Sequence, residues 1–127
     1  MTRQEMIDLV DRYFSGVDAM DFSTIAGTMT DDCIFSVETH GTRLRGLAEI
    51  ESMFRRLWDS HAAVLHENFT YVPAPESSRI AAQFSVVNTH HDGKKSHKSN
   101  CNFFELRDGR FSSVAVYMAG ENTLNAV

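Results

Sequence analysis

Cysteine and proline are scarce in this chain, and basic residues do not dominate it. The two cysteines, Cys33 and Cys101, lie far apart and outside any CxxC pattern. That spacing excludes a disulfide scaffold and a thiolate zinc site. Lys and Arg number 12 against 17 Asp and Glu, for a formal charge of -5. No dominant basic face is available to a nucleic acid, so none is expected as a partner. The only prolines, Pro73 and Pro75, fall in "VPAPESS", which reads as a turn between strands and not as a domain boundary. No long hydrophobic run occurs. The opening "MTRQEMIDLVDRYF" has acidic residues scattered among its apolar positions, unlike a signal peptide or a membrane span. No membrane partner is expected, and a soluble cytoplasmic protein is. With 127 residues, 43% of them hydrophobic, the whole chain 1–127 fits one domain with a real core.

What is present is strongly patterned. Met6, Leu9, Val10, Tyr13, Phe14 and Val17 recur at helical spacing, predicting an amphipathic helix over the first twenty or so residues. Asp21 is placed to cap a short second helix over "FSTIAGTM". "DDCIFSVETHGTRL" then reads as a hairpin turning at His40 and Gly41. A third helix is expected from Gly46, with Leu47, Ile50, Met53, Phe54, Leu57 and Trp58 on one face. Four strands come next, near 64–72, 80–91, 94–106 and 111–118, joined by tight turns.

Two-residue turns at Asp92-Gly93 and Asp108-Gly109 would fix the faces of this sheet. They set Ser85 opposite Asn100 and Asn102 opposite Ala115. One face then carries Gln83, Ser85, Val87, Asn100, Asn102, Phe104, Ala115 and Tyr117. The other carries Ile80, Ala82, Phe84, Val86, Cys101, Phe103, Val114, Val116 and Met118, and is almost wholly apolar. Either face could lie under the helices. Covering the apolar one gives an ordinary core, and covering the Asn-rich one gives a cavity with a few polar groups.

The order of elements, with "RYFSGVDAMDFSTIAGTMTDDCIF", the helix start at Gly46, "FFELRDGRF" and the closing "GENTL", resembles the nuclear transport factor 2-like superfamily. Within it the chain is similar to ketosteroid isomerases, scytalone dehydratases and SnoaL-like polyketide cyclases. The resemblance implies an α+β fold: a cone-shaped, curved antiparallel sheet wrapped around three N-terminal helices. It also implies a cavity between sheet and helices, which favours the Asn-rich face as cavity wall. Homodimers through the outer sheet face are implied as well. The superfamily hosts isomerases, dehydratases, cyclases and non-catalytic binders, so fold alone does not name the reaction.

Carried over residue by residue, Tyr13 matches the isomerase tyrosine that donates to the substrate oxyanion. The isomerase base falls on Val37, and the protonated aspartate of the oxyanion hole falls on Asn102. Asp18 and His66 match the helix-1 aspartate and the catalytic histidine of the dehydratases. A second histidine falls on His91, or on His90 if the strand is bulged, and a substrate-binding asparagine falls on Asn100. Two water-holding tyrosines of the dehydratases are replaced by Val17 and Val37.

The residues themselves point the same way for Asp18. Four positions after Phe14, it projects from or beside the apolar face of the first helix, where a carboxylate needs a partner unless the helix end leaves it in water. His66 shares a strand face with Asn68, opposite Leu65, Phe69 and Tyr71, and so faces either solvent or a cavity. In "NTHHDGKKSHKSN" the histidines and lysines are mostly hairpin tip, with His91 the one to turn inward. No HxH or HExxH pattern occurs, so neither a metal nor another cofactor is expected. The expected function is a cofactor-independent lyase or isomerase acting on a small hydrophobic, oxygenated molecule. His66 would move the proton, Asp18 would orient His91, and Tyr13 would bind an oxygen. Asn100, Asn102, Trp58, Phe54, Phe104, Tyr117 and Val37 would line the site. The alternative is a dimeric, non-catalytic binding module.

Overall fold

The computed structural model describes residues 1–124 of the chain. The long first helix, α1 (Arg3–Asp18), begins at Thr2, whose hydroxyl accepts from the Glu5 N–H while the Glu5 carboxylate accepts from the Thr2 N–H. This reciprocal pair satisfies two of the donors that a helix start leaves open. The short α2 (Phe22–Gly27) is capped by Asp21, as its sequence predicts. Strands β1 (Met29–Val37) and β2 (Thr42–Arg45) form the first hairpin, and α3 (Leu47–Asp59) comes after it. The remaining strands are β3 (Ala63–Ala74), β4 (Arg79–Thr89), β5 (Lys95–Arg107) and β6 (Arg110–Tyr117), with a 3-10 turn at Pro75–Ser77 between β3 and β4.

The six strands make one curved sheet in the order β2-β1-β6-β5-β4-β3. The expected α+β class and wrapped architecture are what is found, with one refinement. The β1–β6 pairing is parallel, so the sheet is mixed. The apolar stripes of α1 and α3 are buried against its inner face: Met6, Val10, Phe14 and Val17 from one helix, Ile50, Met53, Phe54 and Leu57 from the other. No helix is long and apolar enough to cross a membrane among the described residues.

The two candidate faces of the sheet turn out to be mixed together, because three single-residue slips change the register. At the β4–β5 tip the loop is three residues, His91 to Gly93, closed by His90 N–H to Lys94 O at 2.8 Å. Gly93 supplies the positive φ of 87° that ends such a loop. Phe84, not Ser85, therefore faces Asn100. At the next tip Asp108 and Gly109, with φ of 53° and 76°, do form the expected two-residue turn, pairing Arg107 with Arg110. A bulge then leaves Ser112 unmatched, and Asn102 faces Val116 instead of Ala115. In β3 the third slip lies at Asn68, with φ of 59°, between the Glu67–Ser85 and Thr70–Gln83 pairs.

Since side chains alternate with period two, each slip moves the residues beyond it to the other face. Asn100, Asn102 and Phe104 therefore share the inner face with Ile80, Ala82, Phe84, Val86, Val114 and Val116. Phe69 and Tyr71 likewise join His66 on the inner side of β3, while Leu65 stays outside, 45% exposed. The helices cover apolar and asparagine side chains at once.

Candidate functional site

The last turn of α1 and the middle of β3 approach each other so that Asp18 and His66 form a two-point contact. The His66 Nδ1–H donates to Asp18 Oδ1 at 2.6 Å, and the His66 backbone N–H donates to Asp18 Oδ2 at 3.0 Å. The side chains are only 22% and 11% exposed, respectively. A carboxylate that accepts from Nδ1 fixes the tautomer, leaving Nε2 without a proton in the neutral ring. The ring is further held between Phe14 and Phe84, with centroids at 4.8 Å and 5.5 Å. Asp18 is thus a partnered carboxylate, not a solvated helix end.

His66 lines a pocket of about 30 Å³ bordered by α1, α3, the inner face of the sheet and Leu124. Its walls are mostly apolar: Phe14, Val17, Phe54, Leu57, Phe84 and Val116. Its polar lining consists of His66, Tyr13, Asn100 and Asn102. Tyr13 is nearly completely buried, ringed edge-on by Phe14, Phe54, Phe104 and Phe111. Burial pushes its phenol far above the ordinary tyrosine range, helped by nearby Cys33 and Asp18. The hydroxyl therefore stays protonated and available as a donor. Asn100 spends its Oδ1 on the Ala119 N–H at 3.2 Å. The Oδ1 of Asn102 is the one fully buried side-chain oxygen or nitrogen without a hydrogen-bond partner among the described residues.

Of the residues expected at the site, Tyr13, Phe54, His66, Asn100 and Asn102 meet at this cavity, with Asp18 behind His66. Phe104, Val37 and Trp58 are buried core and do not line it. Trp58 stacks on Phe54 and donates its Nε1–H to the Val17 carbonyl at 3.1 Å, tying α3 to the end of α1. Two further expectations are corrected. Tyr117 is 45% exposed on the outer face, because the Ser112 bulge reversed its parity. His91 is exposed at the hairpin tip, its Nε2 bonded to the Asp59 carbonyl at 2.7 Å, because the three-residue loop points it at the end of α3. Asp18 consequently orients His66 itself and not His91. His90 is also away from the cavity, with its ring 5.2 Å from that of His61 and its Nε2 beside Ser96.

The sequence reading missed Phe84 and Val116, which the slipped register hid, and Leu124, which belongs to no periodic element. Among the described residues no group of three or more His, Cys, Asp or Glu is arranged to hold a metal ion. A larger, open groove of about 450 Å³ lies on the outer side of the sheet. Arg43, Arg45 and Arg107 line it together with Asp32, Glu38 and Glu105. It lacks aromatic walls and any member of the Asp18–His66 site, so it is not the candidate centre.

A family model described as a SnoaL-like domain matches residues 10–114. The chain belongs to the SnoaL-like domain family. Solved structures similar to this SnoaL-like chain include a provisionally named polyketide cyclase from Xanthomonas campestris pv. campestris. It is 22% identical, with 91% of this chain and 90% of that one covered and a TM-score of 0.83. TerC, co-crystallised with polyporic acid, is 14% identical over 91% of this chain and 92% of its own, with a TM-score of 0.79. A provisionally named ketosteroid isomerase from Kribbella flavida is 16% identical over 94% and 82%, with a TM-score of 0.73. At these identities the likeness establishes the fold, that of the nuclear transport factor 2-like superfamily. No curated protein matches the chain at a significant level.

Proposed function

We propose that this SnoaL-like domain is a cofactor-independent lyase or isomerase for a small hydrophobic, oxygenated compound, with His66 as its acid–base group. The observation that carries this reading is the Asp18–His66 pair set against a small pocket walled by aromatic and aliphatic side chains together with Tyr13, Asn100 and Asn102. With Nδ1–H committed to Asp18, Nε2 is the nitrogen that takes a proton from carbon or returns one to a leaving hydroxyl. The protonated Tyr13 hydroxyl donates to a carbonyl or enolate oxygen as charge develops there, in a site poor in competing water. Asn100 supports the same oxygen. The names of structural neighbours, which include polyketide cyclases and ketosteroid isomerases, fit this chemistry. The comparison of His66→Ala with the unmodified chain tests it. A panel of hydroxylated carbonyl compounds is followed by ultraviolet absorbance for elimination or isomerisation. The variant should fold normally and lose turnover, and an unchanged rate would remove His66 from the mechanism.

A second reading, a non-catalytic binding module, draws on the cavity size. About 30 Å³ is an order of magnitude below a usual ligand pocket of roughly 300–1,000 Å³. A substrate must therefore displace a wall, and Leu124 is the only lining residue outside a helix or strand among those described. Ligand binding that His66→Ala leaves untouched, with no turnover by either protein, would favour the module. A homodimer in the cytoplasm, assembled through the outer sheet face, is proposed for either reading. Phe103 and Tyr117 stand there 48% and 45% exposed, an apolar surface that a second copy would cover.

A further inference from the structure

Trp58 makes a contact that filling the core does not require. It is 7% exposed, and its Nε1–H donates to the Val17 carbonyl at 3.1 Å, 41 residues back in the chain. That oxygen belongs to the peptide unit whose nitrogen is the N–H of Asp18, and a peptide unit moves as a rigid plane. Holding the oxygen therefore fixes the direction in which Asp18 leaves the helix. The carbonyls of this last turn, where the helix runs out of its own donors, are otherwise met from nearby in the chain. Ala19 N–H donates to Ser15 O at 3.0 Å, Asp21 N–H to Gly16 O at 2.9 Å, and Met20 N–H to Val17 O at 3.2 Å. Those donors travel with the helix end. Among the described residues, Trp58 is the donor to this turn that comes from a distant element, α3.

We propose that Trp58 is a positioning residue for the Asp18–His66 pair, acting through the Val17 carbonyl. This deepens the acid–base reading above and rests on it for any effect on turnover. The indole is itself firmly placed: Phe54 stacks on it at 5.7 Å, and the Arg55 guanidinium lies 5.8 Å from its ring centroid. Phe54 also lines the His66 pocket, as does Val17. One side chain thus joins the α3 wall of the pocket to the peptide that carries Asp18. The aim of that carboxylate is demanding, because it meets His66 Nδ1 at 2.6 Å and the His66 backbone N–H at 3.0 Å at once. A displacement of about 1 Å at a reacting group can cost about 10²-fold in rate. A buried indole N–H needs an acceptor in any case, so the bond by itself would also suit a purely structural role. What separates the two roles is whether the state of His66 changes when the bond is removed and the packing is kept.

Trp58→Phe keeps an aromatic ring in the core and removes the N–H. Ile80→Val, a buried change at the start of β4, is the control for lost stability alone. Nitrogen and proton NMR of His66 supplies the readout. In the unmodified chain the neutral ring should hold its proton on Nδ1, with the low-field resonance of a short hydrogen bond to a carboxylate. Trp58→Phe should populate both tautomers and move that resonance upfield, while Ile80→Val should leave both signals unchanged. Where a substrate is found, Trp58→Phe should lower kcat by about 10–10²-fold with KM little altered. A Trp58→Phe protein that keeps the unmodified tautomer and resonance would reduce the indole to packing and overturn the inference. An equal change in Ile80→Val would overturn it too. If Trp58→Phe does not fold, Asp18→Asn reads the link from the other end. Trp58 is the only tryptophan, so its indole N–H resonance should shift in that variant, and an unmoved resonance refutes the coupling. These signals need no turnover. A His66→Ala protein that stayed fully active would end the catalytic reading and leave this inference standing.

Discussion

Replacing Asp18 by Asn removes a charge and one acceptor while preserving shape. Asp18 takes two hydrogen bonds from the same residue, 2.6 Å from Nδ1 and 3.0 Å from the backbone N–H of His66. An asparagine can accept only one of them and must turn its own NH₂ toward the other donor. A hydrogen bond to a charged group contributes about 1.5–3 kcal/mol. The pair is partly open, at 22% and 11% exposure, which places the loss toward the lower part of that range, at about 2 kcal/mol. For a chain of this length that lowers the melting temperature by roughly 8 °C. A thermal double-mutant cycle of Asp18→Asn, His66→Gln and both together should return a coupling of about 2 kcal/mol. Nitrogen NMR of His66 supplies a second readout. The wild-type neutral ring should carry its proton on Nδ1, and Asp18→Asn should mix the tautomers. Turnover, where a substrate is found, should fall by roughly 10²–10⁴. A coupling below about 0.5 kcal/mol, or a tautomer that ignores the substitution, would refute the claim that Asp18 organises His66.

Gly16→Ala tests the approach of α1 to α2: a Cβ there would lie 2.9 Å from Ile25 Cγ1 and 3.1 Å from the Ile25 backbone N. Overpacking should outweigh the gain in helix propensity, lowering stability by about 1–2 kcal/mol in urea unfolding. Trp58→Phe loses the bond to the Val17 carbonyl and should destabilise by about 1–2 kcal/mol with the fold retained by circular dichroism. Burial, with Asp32 nearby, pushes the Cys33 thiol from 9.0 up to about 12. A raised folded value means stability that is complete below pH 9.0 and lost as pH climbs toward about 12. Alkaline denaturation should therefore be shallower in Cys33→Ala over the lower part of that window, and the native thiol should resist alkylation at pH 8. The homodimer proposed through the outer face predicts that Phe103→Arg gives a monomer mass by light scattering where the unmodified chain gives a dimer, and an equal mass for both would place any interface elsewhere.

Local structure was legible in the residues because its causes are local. Apolar spacing set α1 and α3, Asp21 marked the start of α2, and Asp108-Gly109 formed the two-residue turn its chemistry favours. Sequence resemblance also singled out Asp18, His66, Tyr13, Asn100 and Asn102, which the fold gathers around one cavity. Face assignment was not legible. The extra residues at Asn68 and Ser112, and a hairpin loop of three residues instead of two, each reverse side-chain parity. Those reversals buried the asparagines among apolar neighbours, turned Tyr117 outward and left His91 on the tip. Pairing of Asp18 with His66 across 48 residues, and placement of Leu124 over the cavity, depend on how helix and sheet dock. A bulge costs little along one strand, and its position is chosen by the packing of the whole sheet against the helices.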